Sequence, residues 1–281
     1  MRPSPLSLAL TLAAAVVAGC AEPAAPAPPA SAPGSAPPYR LDAPAAVVEL
    51  APELREISGL TILPSGNLGA VQDESGTVYE LSPATGQIVD RLAFGGPGDF
   101  EGVELTPDAV WALRSDGDLY RVGRDSAGAP VTRVVETRLR GRNDTEGLAY
   151  DGRGRLLIAC KEWPGPDLDG VRAVYAFDLA TETVAPEPVA LLDRRQLDGR
   201  LAFKPSALAV HPISREVYVL SSVREAIAVL SPGGALVSVL PFPDGLVPQP
   251  EGITFAPDGT LYVSSEGPRG PGLLLRYPPA R

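Results

Sequence analysis

Asn143-Asp-Thr-Glu-Gly-Leu-Ala-Tyr-Asp-Gly-Arg-Gly-Arg-Leu-Leu-Ile-Ala-Cys-Lys-Glu162 reads as a strand, a tight turn and a second strand. Leu148 to Tyr150 is short and apolar, and Leu156 to Ala159 is a second apolar run that stops at Lys161 and Glu162. Between them, Asp151-Gly152-Arg153-Gly154 is turn chemistry, with glycine available for positive φ. One such hairpin decides nothing, but the chain repeats it. Five small residues, Gly59, Gly102, Gly147, Ala207 and Gly252, recur at intervals of 43, 45, 60 and 45 residues, each directly after Ser58, Glu101, Glu146, Ser206 or Glu251. Turns follow at Pro64–Gly66, Thr106–Asp108, Asp151–Gly154 and Ala256–Gly259, and the Ala207 copy uses His211–Ser214.

Each turn leads into a second strand, over Leu68–Val71, Val110–Leu113, Leu156–Ala159, Val217–Leu220 and Leu261–Val263. A third follows over Thr77–Leu81, Asp118–Val122, Ala173–Leu179, Ala226–Leu230 and Leu273–Tyr277. A repeat of about 40–50 residues made of short strands is the signature of propeller blades, and five copies predict an all-β, five-bladed β-propeller. The long interval is absorbed by loops at Trp163–Gly170 and Arg194–Lys204. The chain ends soon after Tyr277, so the last blade lacks an outer strand of its own. The apolar run Ala45–Leu50 precedes the first repeat without a partner, and it is expected to complete that blade and close the ring, removing free sheet edges.

Ahead of the repeats, an apolar run from Leu6 to Ala18 has the length of a signal-peptide core and is too short to span a bilayer. It ends in Val17-Ala18-Gly19-Cys20, which resembles the bacterial lipobox; residues 1–19 are then a lipoprotein signal peptide and Cys20 the lipidated anchor. Ordinary secretion with cleavage elsewhere is the alternative. Ala21 after Cys20 would favour the outer membrane, facing the periplasm, in a Gram-negative cell. Residues 20–41 form an Ala/Pro-rich linker that cannot bury a core and could hold the domain up to roughly 60 Å from the membrane at ~3.1 Å per residue. The propeller occupies residues 42–281.

The net charge of −10 argues against nucleic acid as a partner. With Cys20 modified, Cys160 is the one remaining cysteine, so no intrachain disulfide forms; in a predicted inner strand it reads as a small buried hydrophobe. His211 is the only histidine and belongs to a turn at the far end of a first strand, which leaves no Ser-His-Asp triad at the other end. Phosphate-cradling glycine loops and zinc motifs are absent. A monomer is expected.

First strands begin near the axis of a propeller. Ser58, Glu101, Glu146, Ser206 and Glu251 should therefore form a ring around one axial opening. Two carboxylates ~5 Å apart repel by roughly 3 kcal/mol at an effective dielectric near 20. Protons, basic side chains, water or a cation must relieve this. Hard oxygen donors without clustered Cys or His favour calcium or magnesium, with calcium the better fit to an irregular ring. Alternatively, these glutamates cap backbone amides of nearby loops. Second strands return to the same level, placing Asp73, Glu74, Lys161, Glu162 and Glu266 at the mouth, with Asp99 and Asp144 two residues before Glu101 and Glu146. Trp163 could line the mouth, whereas Trp111 reads as core.

The lipobox, Ser58-Gly-Leu-Thr61, the Glu-Gly repeats and Ser206-Ala-Leu-Ala-Val-His-Pro212 together resemble the SdiA-regulated (YjiK-like) family of bacterial propellers, from about Val47 to the C-terminus. The resemblance implies a five-bladed propeller related to NHL-type repeats, with a calcium site. Carried over, that site falls on Glu101, Glu146 and Glu251; Ser58 and Ser206 could complete it only through hydroxyl, backbone or water. Two functions stay open. One is a membrane-tethered, calcium-binding module whose mouth takes an unknown protein, glycan or small-molecule ligand. The other is a metal-dependent hydrolase similar to phytase-like phosphoesterases or lactonases of the gluconolactonase type, with Glu74, Glu162 or Glu266 as candidate bases. No catalytic residue is assigned by the sequence itself.

Overall fold

The computed structural model describes residues 39–193, 195–197 and 203–280. The lipobox, Cys20 and most of the linker lie outside the described residues. Five sheets follow one another along the chain. Blade one contains β2 (Ile57–Ile62), β3 (Leu68–Gln72), β4 (Ser75–Leu81) and β5 (Ile88–Pro97). Blade two contains β6 (Phe100–Leu105), β7 (Val110–Arg114), β8 (Leu119–Arg124) and β9 (Pro130–Val135). Blade three has β10 (Thr145–Tyr150), β11 (Arg155–Cys160) and β12 (Val171–Asp178), with an outer edge split into β13 (Thr183–Val184) and β14 (Ala190–Asp193). Blade four contains β15 (Ala207–Val210), β16 (Val217–Ser221), β17 (Ala226–Leu230) and β18 (Leu236–Pro241). Blade five has β19 (Pro250–Phe255), β20 (Leu261–Ser265) and β21 (Leu273–Tyr277), and its outer strand is β1 (Ala46–Glu49), paired antiparallel to β21 from Ala46↔Arg276 to Glu49↔Leu273. The fold is thus a five-bladed propeller closed by an N-terminal strand, as the repeat predicts.

The core is not a single mass. Five apolar clusters form, one between each pair of neighbouring blades. β11 shows how one strand serves two of them. Leu156, Ile158 and Cys160 pack toward blade two, while Leu157 and Ala159 pack toward blade four. A strand buried on both faces needs a continuous apolar run, because alternate side chains point to opposite sides. This is why the second strands stand out in the sequence. Cys160 is fully buried, and desolvation pushes its thiol up to about 12, in keeping with a structural role.

Packing begins earlier than the sequence suggests. Tyr39 and Leu41, inside the stretch read as linker, are buried in the cluster between blades four and five. The Tyr39 hydroxyl donates to the carbonyl of Gly259 at 2.6 Å and lies 3.0 Å from Nε2 of His211. The Pro/Ala composition around residue 39 hides one aromatic anchor.

Candidate functional site

The first strands share a local irregularity that sets the site. In β6, β10 and β19 the register with the second strand shifts at Phe100/Gly102, Thr145/Gly147 and Pro250/Gly252. The residue between each pair is Glu101, Glu146 or Glu251. A bulge leaves one residue unpaired and re-aims its side chain. In β2 the shift spans Ile57/Leu60, where Ser58 stands. The following glycines let the first strands crowd together. A Cβ on Gly59 would come within 2.7 Å of the Val103 amide nitrogen, one on Gly147 within 2.8 Å of the Leu208 amide nitrogen, and one on Gly252 within 2.7 Å of the Ser58 carbonyl. The Glu-Gly pair therefore has two jobs: the glutamate faces the axial opening, and the glycine allows the next blade's backbone to approach.

Glu101, Glu146 and Glu251 act on one another electrostatically. Glu146 is buried, and Glu101 and Glu251 are partly buried. Burial pushes all three carboxyls above their usual range. Glu146 and Asp99 raise Glu101 further, and Glu251 raises Glu146. The main relief is Lys161, whose Nζ donates to Oε1 of Glu146 at 2.6 Å. Burial alone would lower this ammonium, but Glu146, Glu251 and Asp144 hold it above its usual value. Glu146 and Lys161 are both shifted upward. We read the pair as ionised, because the short contact and the surrounding carboxylates favour the charged lysine. Oε2 of Glu251 is buried without a hydrogen-bond partner of good geometry, although the Ser222 and Ser206 hydroxyls beside that carboxyl offset part of its upward shift, and Oδ1 of Asp73 is likewise unpartnered. No three His, Cys, Asp or Glu side chains among the described residues are gathered closely enough to hold a metal ion. The three glutamates thus share one field without sharing one set of ligand positions.

The remaining mouth residues have different surroundings. Ser58 and Ser206 are buried; Ser206 Oγ donates to the Pro250 carbonyl at 2.8 Å, and Ser58 Oγ makes a long 3.4 Å contact with the Glu56 carbonyl. Asp144 ends a short 3₁₀ turn in a left-handed conformation (φ 52°), and burial raises its carboxyl. Glu162 is bound by Lys204, with Arg172 3.8 Å away, and Lys204 holds it below the usual carboxylate range. Glu266 accepts from Nε2 of Gln249 at 3.0 Å, and burial with Glu251 nearby pushes its carboxyl up to about 7. Glu74 lines a cleft with Glu53, Arg55 and Tyr79 and helps to raise the neighbouring Asp73. One face of the Trp163 ring is covered by the Arg142 guanidinium, 3.4 Å from the ring centroid.

Lys161 and Asp73 are central here; the sequence places both at the mouth but gives neither a role. A signal was present. The chain has two lysines, Lys161 and Lys204, against twenty-two arginines, and both lysines engage mouth carboxylates. Asp73, raised to about 6 by burial and by Glu56, Glu74 and Asp99, occupies the strand-end position corresponding to Lys161.

Comparison with known proteins agrees with this architecture. The family model described as SdiA-regulated matches residues 35–270. Among solved structures, a glutaminyl cyclase from Myxococcus xanthus superposes with a TM-score of 0.57 at 15% identity, over 85% of this chain and 97% of that one. A PQQ-bound aldose sugar dehydrogenase from Streptomyces coelicolor gives a TM-score of 0.51 at 16% identity, over 85% of this chain and 100% of that one. At these identities the likeness shows a shared fold and carries no chemistry across.

Proposed function

The chain belongs to the SdiA-regulated family, and we propose that it is a membrane-tethered binding module whose carboxylate mouth receives calcium and, through it, a protein, glycan or small-molecule ligand. The observation that carries this reading is the charge imbalance on the axis. Three carboxylates face one close ammonium, and a buried oxygen of Glu251 has no donor of good geometry. An unpaired buried carboxylate oxygen is costly, and a hard cation satisfies it best. Glu101, Glu146 and Glu251 do not share one set of ligand positions, so they would hold the ion only by drawing together, with the Ser58 and Ser206 positions supplying neutral oxygens. Calcium would contribute positive charge and open coordination positions. The chain's own residues do the rest. Lys161 occupies the Glu146 carboxylate, so it must move aside, and a lysine on a flexible stem is displaced more readily than a bidentate arginine. Lipidation of Cys20 supplies the tether. No helix among the described residues is long and apolar enough to cross a membrane.

The test is thermal unfolding of the metal-stripped chain with calcium, magnesium or EDTA. Calcium at a hundredfold its Kd should stabilise by about 2.7 kcal/mol, magnesium by less, and Glu146→Gln should abolish the shift. Lys161→Met should melt lower than wild type in EDTA and regain stability with calcium. Absence of a shift with every ion would sink the metal site and leave the glutamates as a self-contained charge network.

One observation favours hydrolysis as the second reading. Glu266 stands at the mouth with a carboxyl near 7, where a general base is most effective. Calcium-dependent turnover of lactones or phosphoesters that disappears in Glu266→Gln is its signature. No turnover across a panel of both ester classes removes this reading.

A further inference from the structure

The face opposite the mouth carries a small cavity of ≈ 70 Å³ between blades three and four. Its floor is apolar, made by Leu157, Val174, Val210 and Val217, which belong to or pack against the cluster between those blades. Arg153, Arg155 and Arg215 also line it. The carboxylate among the lining residues, Asp151, is already engaged. Its Oδ1 accepts from the amides of Arg153 at 2.7 Å and Arg155 at 3.1 Å, and its Oδ2 accepts from Nε of Arg155 at 2.7 Å. Three guanidiniums and one committed carboxylate line the cavity, with Asp178 also facing Arg155 from the neighbouring strand, so the lining stays positive on a chain whose net charge is −10.

Two details separate this from a chance run of surface arginines. Arg215 sits in a left-handed turn (φ 64°), a conformation that favours glycine or asparagine. From there its guanidinium reaches across to the other blade and donates to the Asp151 carbonyl. A Cβ on Gly152 would come within 2.6 Å of that guanidinium, so the two turns are fitted to each other. Arg153, by contrast, makes no side-chain hydrogen bond or ion pair among the described residues, although Asp151 fixes its backbone.

We infer that this cavity is a binding site for a small monocarboxylate with a short alkyl body. The guanidiniums match a carboxylate, to which arginine can donate two parallel hydrogen bonds. The apolar floor matches an alkyl group and would strip water from a compact inorganic anion without compensation. The small volume selects a short chain. The site lies on the face away from the glutamates, so the inference stands apart from the calcium reading.

The test uses the full chain and a straight-chain series from acetate to octanoate, with butylammonium and inorganic phosphate as controls, followed by calorimetry and ligand-detected NMR. Affinity should rise about three- to fourfold per added methylene until the cavity is filled, then level off. Butylammonium should not bind. Arg153→Gln should weaken butyrate binding by about tenfold, with Tm unchanged because the side chain supports no contact in the fold. Val217→Phe, which fills the floor, should remove the dependence on chain length. Phosphate binding as tightly as butyrate, equal binding of butylammonium, or no saturable binding of any carboxylate would each overturn the inference.

Discussion

Gly147 connects sequence, packing and charge at one position. It follows the bulged Glu146, and the space where its Cβ would stand is taken by the backbone and side chain of Leu208 in the next blade. The backbone contacts, to the Leu208 nitrogen and the Ala207 carbonyl carbon, cannot move without shifting a first strand. Gly147→Ala should therefore destabilise the protein by about 1–3 kcal/mol, the usual cost of overpacking a tight interior. Gly123 in β8 is the control, because no atom lies within 4 Å of its virtual Cβ. Gly123→Ala should change stability by less than about 0.5 kcal/mol. Denaturant unfolding of the two variants checks this, and equal effects would refute the close-approach role of the Glu-Gly pair. The neighbouring carboxylate obeys different physics. Its environment is set by Lys161, fifteen residues away in sequence and one hydrogen bond away in space.

At the scale of the element, β1 is the informative strand. Its four residues alternate: Val48 packs against the cluster beneath blade one, and Val47 is half exposed. Because side chains alternate with period two, a one-residue slip against β21 would exchange these faces. Val48→Asp should cost about 1–3 kcal/mol by placing a carboxylate against an apolar cluster, whereas Val47→Asp should be nearly neutral. Denaturation midpoints decide it, and a reversed order would mean a shifted register. This strand was legible in the sequence, as were all five first, second and third strands. The ring glutamates were legible too, since their spacing follows the blade repeat. The outer strands of blades one to four were not, least of all that of blade three. β13 is two residues long, and β14 is largely unburied, so neither displays a hydrophobic period. The pairing of Lys161 with Glu146 and the reach of Arg215 were hidden for a different reason. Both depend on where a bulge or a left-handed turn points a side chain, and local composition carries little of that information.

For the whole molecule, the two faces titrate in opposite senses. The mouth carboxyls Asp73 and Glu266 are raised to about 6 and about 7 in the folded protein. The unfolded chain gives up these protons earlier, so their contribution is fully present below about pH 4 and is lost as pH rises through 6 and 7. His211 on the opposite face is lowered by burial, and its contribution is lost as pH falls below about 6.5. Without metal, Glu266→Gln should flatten the decline in stability between pH 5 and pH 8 relative to wild type. Urea unfolding in EDTA at the two pH values measures this, and identical slopes would show that burial does not act on Glu266 as described.

Tyr39 sits on the face where the β19–β20 turn and His211 lie, with Phe255 and Tyr218 around its ring. This has a mechanical consequence. A pull transmitted along the chain from upstream reaches Tyr39 before it reaches β1. The load then enters an aromatic cluster shared by two blades, and it meets their side chains collectively. It does not peel the four-residue closing strand away from β21 one bond at a time. Tyr39 thus spreads load arriving from upstream over two blades before it reaches the β1–β21 seam.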